Sequence, residues 1–124
     1  VGVADGGWGW GGAFLDFNND GYQDIVMTNG IDLPTTTTDD HFNLQRMRLW
    51  KNLGAGFNGK TKEVSQELGM NSTKQGRGLL KWDFDDDGDM DVVVCNNVGP
   101  AEIYENLGGN EVNFWIKVKV MHRW

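Results

Sequence analysis

The sequence predicts an all-β chain built from two copies of one sheet unit. Three observations carry that expectation. The stretch "DFNNDGYQD" at 16–24 returns as "DFDDDGDMD" at 83–91, an offset of 67 residues. Each copy is followed at once by a short, largely aliphatic run, "IVMTN" or "VVVCN", too short for a helix. The 124 residues also hold eighteen glycines and six tryptophans but only two prolines, a balance that suits short strands joined by tight turns.

The elements follow in chain order. "GGAFLDF" enters the first acidic loop and "DIVMT" leaves it, so the loop joins two antiparallel strands. "GLLKWDF" and "DVVVC" do the same in the second copy. At the offset of 67, Phe17 meets Phe84, Asp20 meets Asp87, Gly21 meets Gly88, Asp24 meets Asp91 and Asn29 meets Asn96. "RLWKN" (48–52) and "EIYEN" (102–106) read as further strands, each closed by a Leu-Gly turn. There the offset falls to 54, so the first copy carries 13 extra residues, placed in the polar, threonine-rich loop 31–47. Only "TKEVSQELGM" (61–70) suits a helical turn. Three or four short strands per unit, repeated at this length, predict radially arranged blades, a fragment of a β-propeller.

The units are expected at about 1–57 and 58–110, followed by the stretch 111–124. In that last stretch Phe114, Ile116, Val118 and Val120 alternate with Trp115, Lys117 and Lys119, which predicts a half-buried strand. The tryptophans of "GGWGWGG" (6–12) are expected to fill space between blades, and Cys95, the only cysteine, to be a buried core thiol. A start at "VGVADGG" without methionine and a stop just past a strand are expected of a piece of a longer protein. The formal net charge of −7 argues against nucleic acid and anionic membrane as partners, and no apolar run approaches the ~20 residues of a membrane span.

The acidic loops carry the chemistry. Counted from the first aspartate, positions 1, 3 and 5 are Asp16, Asn18 and Asp20 in one copy and Asp83, Asp85 and Asp87 in the other. Position 6 is glycine in both, and position 9 is Asp24 or Asp91. Alternate oxygen-bearing side chains on a curled backbone can aim at one point, and glycine permits the bend. Position 7, Tyr22 or Asp89, offers its backbone carbonyl. So many hard oxygens suit Ca²⁺, which takes six to eight of them at about 2.3–2.6 Å; zinc would need a Cys/His cluster, and Mg²⁺ a stricter octahedron. The helix-loop-helix calcium motif is excluded, since its position-12 glutamate is replaced by Met27 and Val94. Asp86 and its match Asn19 are expected to face solvent. Two Ca²⁺ ions would bring the formal charge from −7 to −3.

At these residues the chain resembles the FG-GAP/VCBS repeats of calcium-binding β-propellers, the architecture of integrin α-subunit heads. "GWGWGGAFLDFNNDGYQDIVMTNG", "RLWKNLGAGFNGKTKEVSQELGM", "GRGLLKWDFDDDGDMDVVVCNN" and "EIYENLGGNEVNFWIKVKV" are similar to the cartilage acidic protein family with its ASPIC/UnbV C-terminal domain. The Phe-Gly and Gly-Ala-Pro elements behind the repeat's name are not cleanly present. The resemblance implies a secreted or cell-surface scaffold for adhesion to a protein or glycan, with 111–124 as the first strand of the ASPIC/UnbV-like domain. Extracellular calcium modules bind weakly, at a Kd of about 10⁻⁴–10⁻³ M, and fill only outside the cytosol. No catalysis is expected, because no Ser/His/Asp set or phosphate loop is present and His41 and His122 read as surface residues. The alternative is part of a calcium-dependent propeller enzyme, such as a polysaccharide lyase or hydrolase, which would need an acid–base pair outside the metal loops.

Overall fold

A computed structural model describes residues 2–31, 43–108 and 113–119. It is all-β, with two antiparallel sheets that correspond to the two sequence units. Sheet 1 has the order β1 (Gly9–Leu15), β2 (Asp24–Asn29), β3 (Arg48–Asn52), β4 (Thr61–Glu63); sheet 2 has β5 (Gly76–Trp82), β6 (Asp91–Asn96), β7 (Glu102–Tyr104). Both are meanders, each strand hydrogen-bonded to the next in sequence, as expected of a repeated blade.

The acidic loops join β1 to β2 and β5 to β6 in equivalent registers. Leu15 pairs with Asp24 and Trp82 with Asp91 at the loop ends, while Gly9 pairs with Asn29 and Gly76 with Asn96 at the far ends. Each ladder has one irregularity, between Gly9 and Gly12 or between Gly76 and Gly78. Asn29 and Asn96 brace the next connection in the same way: their Nδ2 atoms donate to Arg46 O and Pro100 O, both at 2.8 Å. The sequence aligned this asparagine pair without revealing its work.

The core lies between the sheets. Leu15, Val26 and Leu49 of sheet 1 pack with Val92 and Val94 of sheet 2, with Met47, Val64 and Met70 closing the cluster. Gly76 lets the sheets approach, since a Cβ there would stand 2.7 Å from Thr28 Cβ and 3.0 Å from Val94 Cγ1. Across the same seam Lys81 Nζ donates to Phe14 O at 2.5 Å and Arg77 Nη1 to Gly30 O at 2.9 Å. The Arg77 guanidinium sits 4.0 Å over the Trp10 ring, so Trp10 does bridge the units, though it stays partly exposed, as does Trp8.

Several expectations need correction. Cys95 is exposed rather than buried, because strand alternation turns Val92 and Val94 toward sheet 1 and Cys95 away from it. Residues 113–119 form no strand; Phe114 is 99% exposed, and Ile116 and Val118 are exposed too. That segment runs over the second acidic loop instead of pairing with an edge. Sheet 1 reaches Glu63, past residue 57 where the sequence places the end of the first unit, because β4 pairs with β3. Within 61–70 the first three residues are therefore strand, and the helical turn shrinks to a single turn, where Leu68, Gly69 and Met70 N–H donate to Val64, Gln66 and Ser65 O at 3.1, 3.3 and 2.8 Å. His41, His122 and most of the 31–47 loop lie outside the described residues.

Candidate metal centre

Each loop is organised by its own carboxylates. In the first, Asp16 accepts the Asp20 and Gly21 N–H groups at 3.0 and 2.7 Å. In the second, Asp83 accepts those of Asp87 and Gly88, both at 3.1 Å. Position 5 accepts from position 7: Asp20 from Tyr22 N–H at 3.0 Å and Asp87 from Asp89 N–H at 2.9 Å. The bend is left-handed at position 4 (Asn19 φ 54°, Asp86 φ 66°) and at position 6 (Gly21 φ 86°, Gly88 φ 97°), which is why short polar residues and glycine recur there.

The position-9 aspartates are deeply buried. Asp24 is fully buried and Asp91 nearly so. Each uses one oxygen to hold the loop and the other to hold the next strand's turn. Asp24 accepts Phe17 N–H at 3.1 Å and Asn52 N–H at 2.7 Å; Asp91 accepts Phe84 N–H at 2.9 Å and Asn106 N–H at 2.8 Å. The asparagine of the "NLG" turn is thus a partner of the acidic loop. Its constant spacing from neither loop in sequence, 28 residues in one unit and 15 in the other, concealed this.

Three carboxylates converge in the second loop. One oxygen each from Asp83, Asp85 and Asp91 lies within 4.8 Å of the others. Two ligands on opposite sides of a Ca²⁺ ion would stand about 4.6–5.2 Å apart, so this spread matches one ion between them. In the first loop the equivalent residues are Asp16, Asn18 and Asp24. Asn18 commits its Nδ2 to Asp20 at 2.9 Å, leaving its buried Oδ1 without a partner. An orphaned buried oxygen at a ligand position fits a cation there and is costly otherwise. Asp87 and Asp89 stand outside the three-carboxylate group; Asp89 is buried and its Oδ1 accepts Asn19 Nδ2 at 2.8 Å. The Tyr22 ring is partly exposed and lies over Gly54.

Electrostatics agree with crowding. Burial pushes the Asp24 carboxyl up to about 6, against the lowering effect of its two N–H donors, and the Asp20 and Asp16 charges add to the rise. Asp85 is also raised, by lost hydration and then by the Asp87 carboxylate. Asp86 faces solvent as expected, but pairs with Lys117. Asn19 does not face solvent: its left-handed backbone turns the amide toward the second loop, where it binds Gly88 O as well as Asp89.

Compared with known proteins, residues 8–37 match the FG-GAP repeat family, a span that takes in β1, the first acidic loop and β2. No curated protein and no solved structure matches the chain.

Proposed function

We propose that this chain is a calcium-stabilised segment of an extracellular β-propeller that serves as an interaction scaffold, with each acidic loop seating one Ca²⁺. The convergence of Asp83, Asp85 and Asp91 within 4.8 Å is the observation that carries this reading. The unpartnered Asn18 oxygen at the matching place in the first loop supports a second site. Asp16, Asn18, Asp20 and Asp24, or Asp83, Asp85, Asp87 and Asp91, would supply side-chain oxygens, with the carbonyls of Tyr22 and Asp89. Bound there, a divalent cation would supply the positive charge that these crowded carboxylates lack.

The chain's own part is positional. Backbone N–H groups fix the carboxylates, and the buried aspartates tie each loop to the strand beyond it. FG-GAP repeats commonly occur in extracellular proteins, which supports a secreted or cell-surface setting where millimolar Ca²⁺ fills weak sites. The resemblance to cartilage acidic proteins adds adhesion to a protein or glycan as the role, without catalysis.

Calorimetric titration of the full chain with Ca²⁺ tests the reading. We expect binding at both loops, lost at the second in Asp85→Ala. Heats indistinguishable from dilution at millimolar Ca²⁺ would overturn it.

A further inference from the structure

The two loops, 67 residues apart in sequence, meet in the fold through asparagine side chains. Asn106 N–H donates to Asp91 Oδ1 at 2.8 Å, and Asn106 Nδ2 donates to Phe17 O at 2.6 Å. Phe17 N–H in turn donates to Asp24 Oδ2 at 3.1 Å. One asparagine and the backbone of one residue, Phe17, therefore connect the buried carboxylate of one loop to that of the other. A second connection is Asn19 Nδ2 to Asp89 Oδ1 at 2.8 Å and to Gly88 O at 3.3 Å. A third comes from the segment over the second loop, where Asn113 Nδ2 donates to Asn18 O at 2.7 Å and the Trp115 ring covers Gly88.

These bonds are not a by-product of the repeat. Asn52, the counterpart of Asn106, keeps its Nδ2 within its own unit, on Gln23 O at 3.2 Å. Asp86, the counterpart of Asn19, pairs with Lys117 at the surface.

We propose that Asn19 and Asn106 are positioning residues that couple the loops, so that a divalent cation in one raises the affinity of the other. The inference rests on the reading of both loops as cation sites. Without a cation, like charges a few ångströms apart repel and the loop backbone loosens. Ordering it costs conformational entropy, and a loop whose carbonyls and buried carboxylate are held from its neighbour is ordered partly by that neighbour. The first cation then bears the larger share of the ordering, and the second finds its loop already formed. By linkage the effect is equal in both directions.

The test uses the full chain, titrated with Ca²⁺ and followed at the Gly21 and Gly88 amides by NMR. Each amide donates to the first aspartate of its own loop and so reports directly on that loop's backbone. Disabling the second loop with Asp85→Ala is expected to weaken binding at Gly21 by about fivefold or more, the lower end of the usual range of coupling between sites. In an Asn19→Gly, Asn106→Ser background the same change should weaken Gly21 binding by clearly less than in the parent, since of the three connections only the Asn113 bond to Asn18 remains. Glycine accepts the φ of 54° at 19, and serine keeps an acceptor for Gly108 N–H while losing the reach to Phe17. Should that pair fail to fold, Asn19→Gly alone should shrink the ratio. Independent loops in the parent, or a ratio undiminished in these variants, would overturn the coupling while leaving the cation sites standing. Silence of both amides toward Ca²⁺ would remove the sites and the coupling together.

Discussion

At position 9 of each loop a carboxylate with almost no exposed surface satisfies two peptide N–H groups from different parts of the chain. Removing it strands both donors, whereas Asp86 has a side chain 66% exposed and a partner on the surface. Asp91→Ala is therefore expected to cost about 2–4 kcal/mol and Asp86→Ala within about 0.5 kcal/mol, as read from urea unfolding midpoints. Equal losses would mean that the buried bonds are not what the aspartate contributes. Asp24 adds a pH dependence. Its folded carboxyl titrates at about 6 against an ordinary 3.8, so the folded metal-free state binds the proton more tightly than the unfolded one. Its contribution to stability rises as pH falls from above 6 toward 4 and is lost as pH climbs through 6. A ¹³C carboxyl titration in chelator should show a midpoint near 6; one near 4 would contradict the burial argument. Because the proton competes with a cation for the same oxygens, Ca²⁺ binding at this loop should weaken between pH 7 and pH 5.

At the scale of elements, the strand–loop–strand unit repeats down to its register, and this reflects local instruction. Period-two apolar alternation sets which face is buried, and the left-handed turn residues set where the chain reverses. The approach of the sheets is a different matter, decided where side chains are absent. A methyl at Gly76 would collide with Thr28 and Val94, while one at Gly78 would meet only Cys95 Cβ at 3.4 Å. Gly76→Ala is expected to destabilise by about 1–3 kcal/mol and Gly78→Ala to stay within about 0.5 kcal/mol, checked by thermal melts of each variant. Similar melts would mean the sheets can part without cost. The segment 113–119 shows the limit of pattern. Its alternation matches a strand, yet Trp115 and Lys117 find partners on the acidic loop, at Gly88 and Asp86, and the ladder is not made.

For the whole molecule, the cations would act as staples on a small core. A ligand at tenfold its Kd stabilises by about 1.4 kcal/mol per site, so in millimolar Ca²⁺ two loops with a Kd of about 10⁻⁴ M would add about 3 kcal/mol. Adding excess chelator to the full chain in millimolar Ca²⁺ should lower its Tm by at least several degrees; an unchanged melt would count against both loops. The faces of the sheets also follow the repeat. Leu15, Val26 and Thr28 are buried against sheet 2, and the residues 67 positions on, Trp82, Val93 and Cys95, occupy the matching face of sheet 2. Among the described residues no third sheet lies on that face, which is why Trp82 is 60% exposed and Cys95 is open to solvent. Cys95 is as apolar in sequence as a core thiol; only the stacking order of sheets distinguishes it.

The sequence by itself determined the all-β class, the antiparallel strand pairs around each acidic loop and the residue types that line those loops. All of these depend on interactions spanning a few positions, where alternation and turn chemistry are legible. Only the tertiary structure decided that Asn106 serves two loops at once, that Asn19 faces its neighbour instead of water, and which sheet face is covered. Those outcomes join residues tens of positions apart, and they depend on how one sheet docks on another, a geometry that no local spacing encodes.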